Sequence, residues 1–504
     1  MRINLNIIIL TLSFALLLIN EGKIYAGQKD TVSLKMLFMG DIMQHDGQIK
    51  AAYDPTKGTY QYDDCFRYVA PIIKSADIAI ANLEVTLAGP PYKGYPQFSA
   101  PDALAQSVKN AGIDFLVTAN NHSLDRGKKG LERTLDVLDG LDIPHTGTFT
   151  DSLSRTQTYP YLYQKGDFEV VILNYTYGTN GIKITPPNII NYIDHQTIIN
   201  DLAKAKSLKP DIILVFMHWG QEYKSLPNQQ QKGLANLCFD HGANLVIGSH
   251  PHVVQPIVFN KDKEGKNRMV TYSLGNYVSN QRSRYKDGGL MVEATFKKSL
   301  SSDSTWLDDS RHHLTWVYRT SSPQQFHILP ASLFEHDTTL LTTQLERDKM
   351  ALFLADSREL FHNHNVGIRE QRTFPQIDYL EFIKGYGGHP LAVSHKAHTT
   401  PHSLAGTTTP PESKISPEIA SSSHSILPAA QYKIQIIATS RSVHPGGLPE
   451  KYQDMVSSES AKNGIQRYFI GDFDSRVRAQ QALNDIKANT KYKDAFLVQI
   501  DTDK

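Results

Sequence analysis

Where the polar residues fall constrains this chain more than any other feature. Residues 34–39, 76–81, 115–119, 212–217 and 245–247 are short apolar runs that read as buried strands. Each ends on residue types that ligate metals. The first leads into Gly40-Asp41, the second into Asn82-Leu83-Glu84 and the third into Asn120-Asn121-His122. The fourth leads into His218-Trp219-Gly220 and the fifth into Gly248-Ser249-His250-Pro251-His252. One histidine or asparagine at a strand end is ordinary, because such residues cap helices and bond backbone. Five ligand-bearing ends in succession, at the edge where open α/β sheets build their sites, point to one assembled centre.

Between the runs lie amphipathic stretches. Leu131, Leu135 and Leu138 recur at helical spacing within residues 130–141. After Pro227, Leu234, Leu237 and Cys238 do the same, and Gly242 stands where a helix would stop. A further run at 170–174 completes a strand–helix alternation that predicts an α/β domain over residues 32–390. Within it, Trp306, Trp316, Phe326 and Pro330 suggest added strands, and 340–360 reads as a helix.

The residue types suit one chemistry. Two divalent ions roughly 3.5–4 Å apart need a shared carboxylate and several imidazole or amide ligands. Such a pair stabilises the oxygens of a phosphoryl displacement and makes hydroxide at neutral pH. Histidine, carboxylate and amide oxygen favour manganese, iron or zinc.

Six strings in order resemble the CapA family of capsule and poly-γ-glutamate synthesis. They are Gly40-Asp41-Ile42-Met43, Asn82-Leu83-Glu84, Asn120-Asn121-His122-Ser123-Leu124-Asp125, His218-Trp219-Gly220-Gln221-Glu222, Gly248-Ser249-His250-Pro251-His252-Val253 and Tyr272-Ser273-Leu274-Gly275-Asn276. They span residues 34–290. The resemblance implies a metallophosphoesterase-like, four-layer αββα sandwich of the calcineurin kind. It also implies roles: Asp41 and His252 on one ion, Asn121, His218 and His250 on the other, and Glu84 bridging. His122 would be the general acid, with Asp125 orienting it or capping the loop. Two positions depart from the broader phosphoesterase pattern. Met43 stands where a histidine is usual, the nearest being His45, and Glu84 follows Leu83 where an aspartate usually follows glycine. Two functions therefore stay open: a metal-dependent phosphoesterase-type hydrolase, or a non-enzymatic factor that holds an anionic envelope polymer.

Two loops could line substrate or simply pack: Pro90-Pro91-Tyr92-Lys93-Gly94-Tyr95-Pro96 and Asn174-Tyr175-Thr176-Tyr177-Gly178. Arg126 and Lys128 would offer charge to an anion or stay solvated. His145 and His241 match no motif and read as loop or helix-end residues. Cys65 and Cys238 read as buried apolar residues or a disulfide.

The ends carry other signals. Residues 1–26 combine Arg2, an apolar run at 7–19 and Ile24-Tyr25-Ala26, which reads as an export signal or, if uncleaved, an anchor. Residues 391–428 are rich in Ser, Thr, Pro, His and Ala and read as a linker. Residues 431–504 resemble a SPOR module, a small α/β domain that binds peptidoglycan glycan strands; a generic ferredoxin-like module is the alternative. The match rests on strands Gln431-Tyr432-Lys433-Ile434-Gln435-Ile436 and Tyr468-Phe469-Ile470-Gly471-Asp472-Phe473, a helix at 476–486 and a strand at 495–498. The expected location is the periplasm or cell envelope. With Lys plus Arg at 52 and Asp plus Glu at 51, no global field recruits nucleic acid.

Overall fold

The computed structural model describes residues 30–373, 431–439, 448–453, 455–460, 466–473, 476–492 and 495–500. The segments expected to be an export signal and a linker, and the 374–390 end of the expected first domain, lie outside them. The contacts divide the chain into two units at residues 398 and 399.

The first unit is built on two sheets. One is a nine-stranded mixed sheet among the described residues. Its central strands are Thr31–Ile42 (β1), Ile78–Leu83 (β2), Phe115–Val117 (β3) and His145–Thr146 (β4), paired in parallel in that order. The other has six strands. They are Tyr161–Lys165 (β5), Phe168–Thr176 (β6), Ile212–His218 (β7), Leu245–Ser249 (β8), Ile257–Lys261 (β9) and Asn267–Thr271 (β10), in the order β9-β10-β8-β7-β6-β5. The first sheet then continues. Asn276–Val278 (β11) pairs with the end of β1, and Gly288–Ser299 (β12), Ser304–Arg319 (β13) and Phe326–Pro330 (β14) extend it antiparallel from β1.

Alternation along β6 and β7 shows what each face meets. Val170, Ile172, Leu214 and Phe216 join the same core as Phe38, Met39 and Ile80 of the first sheet. Val171, Leu173, Val215 and Met217 face away, into a second core with Ile198 and Leu202 of helix His195–Ser207 and Leu234 of helix Gln229–Asp240. Residues 36–39 of β1 are all buried, so that sheet is covered on both sides. Leu104 and Val108 of Ala103–Ala111, and Leu138 of Gly127–Gly140, join its core. Asn228 caps Gln229–Asp240 by accepting from Gln231 N at 2.9 Å, and Gly242, at φ +103°, turns the chain beyond it. Helix Gln344–His364 packs Met350, Phe353, Leu354 and Phe361 into the first core. Both cysteines are buried and free. No helix among the described residues is long and apolar enough to cross a membrane.

Among the described residues the second unit is a four-stranded antiparallel sheet with the helix Arg476–Asn489 and a short helix, Glu450–Gln453. Its strands are Gln431–Thr439 (β15), Val456–Ser460 (β16), Gln466–Phe473 (β17) and Phe496–Ile500 (β18), in the order β16-β17-β15-β18. Ile434, Ile436, Tyr468 and Ile470 pack against Ala482, Leu483 and Ile486 of helix Arg476–Asn489, with Phe473 half-buried beside them.

Candidate metal centre

Parallel pairing brings the carboxyl ends together. Asp41 stands opposite Asn82 across β1 and β2, and opposite Asn276 across β1 and β11. His218 stands opposite Ser249 across β7 and β8. The pairing shifts between Met39 and Asp41, where Gly40 has no room for a side chain: a Cβ there would lie 2.0 Å from Gly275 O.

The loop after β8 is held in an unusual shape. His250 and His252 have φ of +97° and +56°, conformations that cost a non-glycine residue about 1–3 kcal/mol each. Tyr223 N donates to Pro251 O at 2.8 Å, and Asn276 Nδ2 to His252 O at 3.3 Å. The loop thereby turns both imidazoles inward.

Asp41, Glu84, His218, His250 and His252 converge there, all at most 3% exposed. His252 Nδ1 is 3.1 Å from Asp41 Oδ2, and its Nε2 is 3.8 Å from Glu84 Oε1. His218 Nε2 is 3.5 Å from the same Glu84 oxygen and 2.7 Å from Asn121 Oδ1. The ring of His250 lies 4.8 Å from that of His218. Two candidate ligand groups result, Asp41-Glu84-His252 and Glu84-His218-His250, each with donor atoms within 4.8 Å of one another. Glu84 belongs to both.

This donor set fits a divalent cation and is ill at ease without one. Glu84 Oε1 and His250 Nδ1 are buried with no hydrogen-bond partner. Burial, and then the neighbouring Asp41 carboxylate, push the Glu84 carboxyl well up. Burial and the other histidines hold His218 far below the usual imidazole range and His250 down to about 3. Burial also raises Asp41, but His252 and Asn82 more than offset it, and its carboxyl ends below the usual range. A cation would let Glu84 ionise and would be ligated by the neutral imidazoles.

His122 stands beside the ligands. Its Nδ1 is 2.7 Å from Asp125 Oδ2, which also accepts from Phe98 N at 2.7 Å. The ring is edge-on to Phe98 at 4.6 Å. Asp125 thus fixes the proton on Nδ1 when the ring is neutral and leaves Nε2, which bonds no partner among the described residues. Loop capping and ring orientation are therefore both tasks of Asp125.

Several residues at the centre escaped the sequence reading as site residues. Asn82 Nδ2 donates to Asp41 Oδ1 at 2.9 Å and lies 3.3 Å from Glu84 Oε2. Asn120 Nδ2 donates to Leu83 O at 2.7 Å, and Ser249 Oγ meets His218 Nδ1 at 2.9 Å. All three sit in the quoted strings, and that position was the available signal. Met43 is buried in the apolar core, and His45 belongs to neither ligand group; its Nδ1 faces Gln48 Oε1 at 3.2 Å. The loop at 90–96 is tied down by Lys93, paired with Asp46 at 2.8 Å, although Tyr95 stays exposed. Along 174–178 the tasks divide. Asn174 Oδ1 accepts from Ala119 N at 2.7 Å, while the Tyr177 ring reaches to 4.5 Å from His250. Lys128 pairs with Glu132 on the surface, and Arg126 Nε is buried without a partner. His241 ends helix Gln229–Asp240, and His145 lies in the short strand β4.

Residues 35–281 match a family model described as bacterial capsule synthesis protein PGA_cap. The chain is also 30% identical over 298 residues to the PGA biosynthesis protein CapA of Bacillus subtilis, a match covering 55% of this chain and 73% of that one. The chain belongs to this capsule synthesis family. Capsule biosynthesis protein CapA of Bacillus anthracis is 31% identical over 279 residues, covering 52% of this PGA_cap chain and 64% of that protein, just under two thirds. Among solved structures, Haemophilus influenzae NAD nucleotidase is 14% identical with a TM-score of 0.37, covering 70% of this chain and 66% of that one. The calcineurin-like phosphoesterase YfkN of Bacillus subtilis is 13% identical with a TM-score of 0.33, covering 56% and 90%. Overlaps this partial decide neither fold nor function. Every residue of the centre, from Asp41 to Asn276, lies inside the matched PGA_cap segment.

Proposed function

We propose that this protein is an exported factor of capsule, poly-γ-glutamate or related envelope-polymer synthesis, and that its first domain is a metal-dependent phosphoesterase-type hydrolase. One observation carries the reading: Glu84 is shared by two groups of histidine and carboxylate donors, with its own Oε1 and His250 Nδ1 left without partners. Asp41, Glu84 and His252 would hold one divalent ion, and Glu84, Asn121, His218 and His250 a second, of manganese, iron or zinc. When bound, such ions activate water and stabilise charge on a phosphoryl oxygen. The remaining tasks fall to this chain's own side chains. Asn82 fixes Asp41, and Ser249 fixes His218. Asp125 holds the His122 ring so that the imidazolium form can release a proton from Nε2 to the departing oxygen. The second unit, as a SPOR-like module, would bind glycan strands and keep the first domain at the wall.

The alternative is a non-enzymatic factor that holds an anionic polymer and is tethered to peptidoglycan. Met43, apolar and buried where the broader pattern has a histidine, favours it. Elemental analysis of the purified chain, paired with p-nitrophenyl phosphomonoester and diester assays in manganese, separates the two. The enzyme reading expects near two metals per chain and turnover that His122→Ala strongly slows. One metal or none, with no turnover, leaves the polymer-binding reading.

A further inference from the structure

The loop between β11 and β12 carries Arg282, Arg284 and Lys286 to the edge of the centre, just beyond the segment that the family model matches. Two of these cations are committed. Arg284 Nε donates to Asp356 Oδ2 at 2.7 Å. Arg282 lies over the Trp316 ring at 5.5 Å and donates to Val317 O at 2.5 Å. Lys286 is different. Its Nζ sits 4.1 Å from the centroid of the Tyr223 ring, and among the described residues it pairs with no carboxylate.

Both partners are held in place. Asn276 Nδ2 donates to Lys286 O at 2.8 Å and lies 3.1 Å from Gln281 Oε1, so the amide that steadies the His252 carbonyl also anchors this loop. Tyr223 adopts φ +64°, which is strained for an aromatic residue, yet its ring stays 47% exposed. Burial of the ring therefore does not account for the strain. The ring lies 6.1 Å from that of His252, and the Tyr223 backbone is tied to the loop between the two histidines, its N donating to Pro251 O at 2.8 Å. Across the histidines, Tyr177 is likewise 46% exposed, 4.5 Å from His250. The mouth of the centre is thus flanked by two half-exposed tyrosines, and one of them supports an ammonium without an acid partner.

We infer that Lys286 and Tyr223 form a subsite at this mouth that takes a second anionic group of the substrate, a carboxylate or phosphate on the repeat beside the one in the centre. The inference rests on the reading of the centre as a site for an anionic polymer, and adds the contact that favours a chain over a small monoester. The Tyr223 face holds the ammonium where it can donate to the anion, and Asn276 sets its distance from the ligands.

The test uses the full chain loaded with manganese. Calorimetry measures the binding of a γ-glutamyl oligomer, whose anions are carboxylates, and of a glycerol phosphate oligomer, whose anions are phosphates. Lys286→Gln is expected to weaken binding about tenfold, a size typical of losing one charge-assisted hydrogen bond. Lys286→Arg should restore most of it, and Tyr223→Leu should weaken it several-fold, with metal content unchanged throughout. Which oligomer responds identifies the anion. No binding of either oligomer to the native chain, or equal affinity in the native chain and Lys286→Gln, overturns the subsite. A chain that hydrolyses no phosphoester, yet loses oligomer affinity in Lys286→Gln, would fail the enzyme reading and keep the subsite.

Discussion

Glu84 and Arg358 lie in the same unit, each within a cluster of charged side chains drawn into the protein, and the two clusters are completed in opposite ways. Around Arg358 the charges answer one another. Its Nη1 and Nη2 meet Glu335 at 2.7 and 2.8 Å, and its Nε and Nη2 each meet Glu370 at 3.0 Å. Arg372 Nε adds a 2.9 Å bond to Glu370, and Ser332 adds another. Arginine contacts keep Glu335 below the usual carboxylate range. Burial raises Glu370, but Arg358 and Ser332 more than offset it. Among the described residues no lysine or arginine reaches Glu84, whose charged-type neighbours are His218 and His252. The carboxyl is pushed up, the His218 and His250 imidazoles are pushed down, and Glu84 Oε1 and His250 Nδ1 stay without partners. The first cluster is finished by the chain itself and reads as structure. The second lacks positive charge that the chain does not supply, and that shortage marks it as a place for a ligand.

The contrast can be broken most severely at Glu84. Glu84→Gln should abolish turnover and weaken metal binding more than about 100-fold, beyond the range seen when a ligand's outer partner is lost. Retained metal in that variant would remove Glu84 from the shared position. His250→Ala should also lower metal content while circular dichroism stays native, and full retention would end its assignment as a ligand. Next comes His122→Ala, expected to slow turnover by about 10²–10⁴ with metal content intact. Loss of metal instead would make His122 a ligand.

The paired cluster should respond in stability alone. Arg358→Met leaves Glu370 buried without its main cation and should cost about 2 kcal/mol, a value discounted because Arg358 and Glu335 keep some solvent. Denaturant midpoints would show it, and unaltered metal content is the control. A smaller effect concerns His312 beside this network, which burial pushes down to about 4 from its ordinary 6.5. The unfolded chain takes up a proton there below pH 6.5 and the folded chain only near 4. Stability therefore falls as pH drops through that window, by at most about 3 kcal/mol for this group. His312→Leu should flatten that part of the stability profile. An unchanged slope would assign the acid limb to other groups.

The strands and the ligand strings were legible because burial on both faces demands continuous apolar runs, and each run stops where the chain turns polar. The boundaries were less so. The run at 34–39 lies inside a strand, Thr31–Ile42, because antiparallel pairing with β12 carries Val32 and Ser33 along although they add little apolar surface. Of the long partners, β13 was foreseen only as an added strand marked by two tryptophans, and β12, Gly288–Ser299, was not foreseen. Their polar outer residues, such as Lys297 and Asp308, hide the pattern. Within the centre, the carboxylates and imidazoles announced themselves by residue type. Asn82 and Asn276 did not, since an amide that positions a neighbour has the same sequence signature as one that caps a loop. Tyr177, Tyr223 and Lys286 were invisible as a group, because they approach through loops whose course no periodicity encodes.

The contact between His252 and Asp41 joins positions 211 residues apart along the chain. One end lies in β1 of the first sheet and the other in the loop that follows β8 of the second, so the contact needs both sheets in place. Contacts of such long range are costly to close and form late in folding. An isolated half of the domain therefore has no partial version of the centre. If the centre holds metal as proposed, that capacity would come only with the finished fold, and ion capture there would amount to an inspection that only a correctly assembled molecule passes.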